Sequence, residues 1–104
     1  MHMKEIILDF SRIKTYRELH EHFKTVFDLP DYYGRNLDAL WDCLRCSFEV
    51  DTRITLIGLD KMSNGLENLV DDIKELFLDL ETEEREVTVE FVEGDTGDNS
   101  GYMI

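Results

Sequence analysis

The chain has 104 residues, of which 42% are hydrophobic, and this size and composition fit one compact domain with a single core. Its 24 acidic residues against 11 basic residues give a formal net charge of -13 at pH 7. Such a field repels phosphate backbones and anionic lipid, so the charge argues against direct binding to nucleic acid or to membranes. The acids could serve solubility alone or the binding of a basic partner.

Sequence patterns for membrane insertion and secretion bear on where the protein is located. No apolar run approaches the roughly 20 residues that a membrane span requires. The first nine residues lack the charged start, long apolar stretch and cleavage site of a signal peptide. We therefore expect a soluble cytoplasmic protein.

The cysteines Cys43 and Cys46 are spaced as in a redox motif or half of a zinc site. A zinc site would need two further ligands, yet the histidines (His2, His20 and His22) are far away in sequence. A redox pair usually begins a helix, whereas these cysteines fall near the end of one. We expect reduced, non-catalytic thiols and no metal or other cofactor.

The first predicted elements are a strand and a helix. Residues 5–10 contain the apolar run Ile6-Ile7-Leu8, which is typical of a strand buried on both faces. Residues 15–27 change to helical spacing, and Thr15 with Glu18 forms a capping box at the helix start. The stripe that this helix would bury is Tyr16, Leu19, Phe23, Val26 and Phe27.

Four further elements follow. Asn36 is a suitable N-cap for a second helix over residues 36–48. Residues 53–58 predict a second strand, and residues 66–80 keep a helical apolar period for about four turns. Residues 86–92 alternate apolar and polar side chains, which is typical of a half-exposed strand at a sheet edge.

The order of these elements predicts an α/β fold, with a three-stranded, mostly parallel sheet joined by right-handed crossovers and packed with helices. We expect a single domain over residues 1–92. Residues 93–104 carry glycines among polar and acidic residues, and we expect a flexible C-terminal tail there.

The second predicted helix has two distinct sides. Its apolar side comprises Leu37, Leu40, Leu44 and Phe48, which lie within about 60° of Leu37 at about 100° per residue. Its charged residues lie roughly 80° to 140° away and are Asp38, Asp42, Arg45 and Glu49. Trp41 falls between the two arcs, so one side of its ring can pack while the other faces a partner.

The loop before this helix is Asp31-Tyr32-Tyr33-Gly34-Arg35, in which Gly34 allows a sharp turn. One phenol could be core and the other exposed, and the sequence does not say which. The segment suits a recognition patch, with aromatic anchors among carboxylates that accept arginine and lysine. An ordinary solvated helix face, where Arg45 pairs with Asp42 or Glu49, is the alternative.

The residues themselves favour recognition. The sequence Leu29-Pro30-Asp31-Tyr32-Tyr33-Gly34-Arg35-Asn36-Leu37-Asp38-Ala39-Leu40-Trp41-Asp42 closely resembles the signature segment of the barstar family. The preceding helix and the later order of strand, helix and strand are similar up to about residue 92. Barstar-like proteins are intracellular inhibitors of ribonucleases, and some serve as immunity proteins against ribonuclease toxins.

The resemblance implies inhibition by occlusion, because the family inserts this loop and helix into a basic cleft where carboxylates mimic RNA phosphates. It implicates Tyr32, Asp38, Trp41 and Asp42, with Asp42 facing the catalytic basic cluster. A further acidic contact in the family comes from the long helix and falls at Glu75. A solvated acid on an amphipathic helix is the alternative for Glu75.

Three positions depart from the best-known member of the family. Ser47 stands where that member has a second interface tryptophan, Arg45 is positive where it is neutral, and Arg35 replaces an acid. The resemblance therefore implies a cognate ribonuclease that differs from the familiar one. We expect an acid opposite Arg35 or Arg45 on the partner.

Other functions fit the sequence less well. Asp38 and Asp42 could be an acid and base pair, but no nucleophile, metal set or phosphate loop accompanies them, so we expect no enzyme. Asp95, Asp98 and Asn99 lack the spacing of a calcium loop. The rival function is an acidic adaptor that binds and regulates a basic protein other than a nuclease.

Overall fold

The computed structural model describes residues 3–45, 47–62 and 65–93. Its three strands are β1 (Met3–Asp9), β2 (Asp51–Ile57) and β3 (Val87–Val92). Its three α-helices are α1 (Tyr16–Phe27), α2 (Leu37–Leu44) and α3 (Val70–Glu83). Two short 3₁₀ helices lie between β2 and α3, at Leu59–Lys61 and Leu66–Leu69. The predicted order of strands and helices is confirmed.

The three strands form one sheet in the order β1-β2-β3, and both strand pairs are parallel. The register places Ile6 beside Ile54 and Ile54 beside Val89, all on the face that carries the core. Parallel neighbours require crossover connections, which α1 with α2, and then α3, provide. The predicted α/β fold with a parallel sheet is therefore confirmed, and β3 lies at a sheet edge as expected.

The expectation that β1 is buried on both faces is wrong. Ile6 and Leu8 are buried, but Ile7 between them is 54% exposed. Burial also alternates along β2, so one sheet face carries the core and the other is open. On the open face Glu5 forms an ion pair with Arg53 at 3.8 Å. A run of three apolar residues cannot reveal that the second face lacks a covering layer.

Helix α1 begins at the predicted capping box. The Thr15 hydroxyl accepts a hydrogen bond from the Glu18 amide at 3.0 Å, and the Glu18 carboxylate accepts one from the Lys14 amide at 2.8 Å. Asp28 caps the other end with a left-handed backbone, at φ 54°. Tyr16, which we expected on the buried stripe, is 47% exposed because it lies in the first turn, beside the loop that precedes α2.

The core joins the sheet to the helices through aromatic rings. Phe23 of α1 lies between Phe10 and Phe77. Its ring centroid is 5.9 Å from that of Phe10 and 6.2 Å from that of Phe77. α3 buries Ile73, Leu76, Phe77 and Leu80. The helix predicted over residues 66–80 begins differently, because Leu66–Leu69 is a 3₁₀ turn after Gly65 with its left-handed backbone. This packing fixes α3 beside α2.

Helix α2 begins where the sequence predicts but ends earlier. It stops at Leu44, since Arg45 has extended backbone angles, φ -61° and ψ 134°. The chain must leave the helix there to enter β2 at Asp51. Phe48 still packs partly buried against the core, so the apolar period continues past the helix itself.

Some expectations concern residues outside this description. The expected tail over residues 93–104 lies outside it except for Glu93, and the weak calcium pattern at Asp95 lies outside it too. Among the residues that the structure does describe, no helix is both long and apolar enough to cross a membrane.

Candidate partner-binding face

The start of α2 is fixed by local chemistry. The Asn36 side chain accepts a hydrogen bond from the Ala39 amide at 2.7 Å, as an N-cap should. A Cβ atom at Gly34 would lie 3.3 Å from the Ala39 Cβ, so glycine lets the loop pass close to the helix. The loop and helix therefore form one compact unit.

The two neighbouring tyrosines of this unit point in opposite directions. Tyr33 is 3% exposed and joins the core, whereas Tyr32 is 86% exposed. α2 continues this division, because Leu40 and Leu44 are buried while Asp38 and Asp42 are exposed. The structure thus answers which phenol is core, a question that the sequence left open.

A groove of about 410 Å³ separates α2 from α3. Its lining residues are Leu37, Asp38, Trp41, Asp72, Glu75, Leu76 and Asp79. Three of the predicted site residues therefore share one groove, although Glu75 is far from the others in sequence. Trp41 is half-buried in this wall, as its helical phase predicts.

Two acids of this groove are not among the site residues that the sequence predicts. Asp72 and Asp79 lie three residues before and four residues after Glu75, so all three lie on one flank of α3. That spacing is a signal in the sequence. It becomes meaningful only once α2 is known to face these residues, since Asp71, one turn before Glu75, lines a different hollow together with Lys74.

The other two predicted residues lie on the opposite side of α2. Tyr32 and Asp42 share a second depression, where the end of α1 and the loop at Pro30 meet the end of α2. α2 is therefore a ridge between two hollows. We call this surface the acidic ridge, defined by Tyr32, Asp38, Trp41, Asp42 and Glu75. These five residues line the two hollows on either side of α2, and their contact with a partner stays a prediction.

Within the part of the chain that the structure describes, the carboxylates of the acidic ridge form no ion pair. The ion pairs of the described residues include Lys24–Asp31, Arg35–Glu21 and Arg53–Glu5. Asp38, Asp42 and Glu75 belong to none of them, so their acceptor capacity remains available to guanidinium and ammonium groups from outside.

The alternative in which Arg45 pairs with Asp42 or Glu49 does not match the structure. The guanidinium of Arg45 lies over the Trp41 ring, 5.9 Å from its centroid. Arg45 thus lies against the aromatic residue of the ridge and does not neutralise its acids.

Beneath the loop, two buried polar groups meet. Nδ1 of His20 and the Tyr33 hydroxyl are 2.6 Å apart, and both residues are buried. Burial, and then the positive charge of Arg35, lowers the pKa of His20 to about 4. Burial raises the pKa of Tyr33 above its usual range. At neutral pH this is an uncharged contact that supports the loop from below.

Of the two cysteines, the structure describes only Cys43. Cys43 is a half-buried free thiol, and Cys46 lies outside the described residues. Within the described ranges, no three His, Cys, Asp or Glu side chains come together as metal ligands would.

The fold and this surface define a class of protein: a small α/β domain with an exposed tyrosine, a tryptophan and unpaired carboxylates on one ridge, which suits the binding of a basic protein. The family model described as Barstar (barnase inhibitor) matches residues 3–93. The chain belongs to the barstar family.

A curated relative extends this finding. The chain is 36% identical over 81 residues to a Bacillus subtilis (strain 168) protein named "Putative ribonuclease inhibitor YrdF". The match covers 78% of this chain and 89% of that protein.

Proposed function

We propose that this protein inhibits a basic ribonuclease by covering its active site with the acidic ridge. The observation that carries the proposal is that α2 presents Asp38 to the groove shared with Glu75 and Asp42 to the hollow on its other side, with none of these three acids in an ion pair among the described residues. A family whose model is described as a barnase inhibitor supports the same function.

The inhibition follows from charge and shape. A ribonuclease binds the phosphates of RNA with lysine, arginine and histidine side chains, and carboxylates can accept hydrogen bonds from the same groups. Asp42 would face the catalytic basic cluster, while Tyr32 and Trp41 would supply rigid apolar contact around it. The protein itself performs no catalysis in this function.

A net charge of -13 adds a kinetic advantage, because opposite charges accelerate the encounter of two proteins. Fast capture matters for an immunity protein, which must neutralise a ribonuclease toxin before it cleaves the cell's RNA. We therefore infer an antitoxin that acts in the cytoplasm, where that RNA lies.

The test is RNA cleavage by the ribonuclease that immobilised wild-type protein retains from extract of its native cells, in the presence of rising amounts of the wild-type chain, Asp42→Ala and Asp71→Ala. The two variants lose the same charge, but Asp71 lines neither hollow beside α2 and instead lines a separate one with Lys74 and Phe91. We expect wild type and Asp71→Ala to suppress cleavage and Asp42→Ala to do so much less effectively.

A second arm separates inhibitor from adaptor. Wild-type protein is immobilised and exposed to extract of its native cells, and the eluate is assayed for RNA cleavage. Ribonuclease activity in the eluate that added wild-type protein suppresses supports the proposal. If the eluate contains a basic protein without ribonuclease activity, the adaptor function replaces the inhibitor function.

A further inference from the structure

Arg35 occupies an unusual backbone position between Tyr32 and the start of α2. Its φ of 54° lies in the left-handed region, which a long side chain rarely adopts. It stands between the loop that bears Tyr32 and Asn36, the N-cap of α2. The backbone angles of Arg35 therefore set the direction in which α2 leaves the loop.

Helix α1 contacts Arg35 at both its backbone and its side chain. The Tyr16 hydroxyl donates a hydrogen bond to the Arg35 carbonyl at 2.9 Å. The Arg35 guanidinium donates through Nε and Nη2 to one carboxylate oxygen of Glu21, at 3.1 and 2.5 Å. This contact lowers the pKa of Glu21, so the carboxylate is charged at neutral pH.

The contacts are continuous with the buried support of the loop. The Tyr16 ring lies against His20, with centroids 4.5 Å apart, and His20 meets the Tyr33 hydroxyl. At the far end of the loop, Lys24 pairs with Asp31 at 3.2 Å. One face of α1 thus contacts the loop at its beginning, middle and end.

We propose that Tyr16 and Glu21 are positioning residues for the acidic ridge: they hold Arg35 in its left-handed conformation and so fix Tyr32 relative to Asp38, Trp41 and Asp42. Neither residue belongs to the ridge itself. This inference rests on the proposed function only for its consequence in binding, since the positioning is a property of the free protein.

Arg35 then has an internal role instead of the predicted contact with a partner. The sequence predicts that this arginine meets an acid on the partner, yet Glu21 supplies that acid from within the chain. Arg35 serves to organise the surface. Because an exposed ion pair alone contributes little, the hydrogen bond from Tyr16 to the backbone is the stronger constraint.

Preorganisation has a measurable signature. If the competent conformation is less populated, the apparent dissociation constant rises by the same factor. When binding must wait for that conformation, the association rate falls while the dissociation rate is unchanged. A residue that contacts the partner directly changes the dissociation rate instead.

The first experiment measures amide hydrogen exchange in the free protein for wild type, Tyr16→Phe and Glu21→Gln. We expect exchange at Ala39 and Leu40, the first bonded amides of α2, to accelerate about three- to tenfold in Tyr16→Phe and by a smaller factor in Glu21→Gln. Exchange at Leu56 in β2 should stay unchanged. Equal acceleration at Leu56 would indicate a general loss of stability, and no acceleration at Ala39 would leave the ridge independent of α1; either result overturns the proposal.

The second experiment measures association and dissociation rates with the ribonuclease recovered from native-cell extract. Tyr16→Phe changes no charge, and Glu5→Gln is the matched control for Glu21→Gln, because it removes the same charge from an exposed ion pair on the open sheet face. We expect slower association for Tyr16→Phe than for wild type, and for Glu21→Gln than for Glu5→Gln, with equal dissociation. An effect confined to dissociation would show direct contact and contradict positioning. If no ribonuclease is recovered, the proposed function loses support while the exchange result still decides this inference.

Discussion

The segment from Leu29 to Leu44 has two faces with opposite properties. Its inner face includes Tyr33, Leu40 and Leu44, all in the core, while its outer face carries Tyr32, Asp38 and Asp42 in solvent. Adjacent residues thus take opposite roles, most clearly at Tyr32 and Tyr33.

The difference shows how a small protein separates stability from recognition. The inner face contributes apolar burial and a hydrogen bond to His20. The outer face contributes little to folding, because Asp38 and Asp42 form no ion pair among the described residues. Acids that are not needed for the fold are free for a partner, so substitutions on the two faces should have separable effects.

The largest effect should come from truncating the inner face. Leu40→Ala removes a fully buried side chain and should lower the free energy of unfolding by about 2–5 kcal/mol, measured by urea denaturation. Asp42→Ala on the same helix should change it by less than about 0.5 kcal/mol. If the two variants were equally stable, the division into two faces would be wrong.

The second largest effect should come from acid, which should lower the stability of the inner face through protonation of His20. The pKa of His20 falls from 6.5 to about 4 on folding, so the unfolded chain binds the proton more readily. The stability from neutral His20 is complete above pH 6.5 and is lost as the pH falls through about 4, with a total of about 3 kcal/mol.

Urea denaturation of wild type and His20→Gln at pH 7 and pH 4 isolates this contribution, since the carboxylates titrate in both. The loss between the two pH values should be smaller in His20→Gln. If the free energy of unfolding fell equally in both proteins, His20 would not contribute to the acid sensitivity.

On the outer face, Asp42→Ala should cost at least about 2 kcal/mol of binding, a hot-spot range that the barstar complex with barnase itself helped to define. Isothermal titration calorimetry with the ribonuclease that wild type inhibits most strongly measures this cost, with Asp71→Ala as the control for charge. Wild-type affinity in Asp42→Ala would refute the placement of the site.

The smallest effect should be the difference in stability between variants of the two neighbouring tyrosines. Tyr33→Phe removes the hydroxyl that meets His20 and should lower the free energy of unfolding by about 1 kcal/mol. Tyr32→Phe should leave stability unchanged, because that side chain is in solvent. Thermal or urea unfolding of both variants makes the comparison, and equal losses would contradict it.

Much of the fold follows from local patterns. Apolar periodicity predicted the order of strands and helices, Asn36 predicted the start of α2, and helical phase placed Trp41 between the packed and charged sides. These features depend on residues within one or two turns of each other, so the sequence contains them directly.

Other features depend on which elements meet. The open sheet face that exposes Ile7 exists because no layer covers it, and α2 ends at Leu44 because the chain must reach β2. Asp72 and Asp79 join the groove because α3 turns that flank toward α2. No periodicity within a single element encodes these arrangements.

The sequence by itself determined the acidic charge, the kind of elements and the five residues of the acidic ridge as candidates. Only the tertiary structure decided that Tyr33 is buried and Tyr32 exposed, and that Glu21 pairs with Arg35. The physical reason is that local periodicity records how one element is amphipathic, whereas contacts between α1 and the loop depend on how the whole core packs.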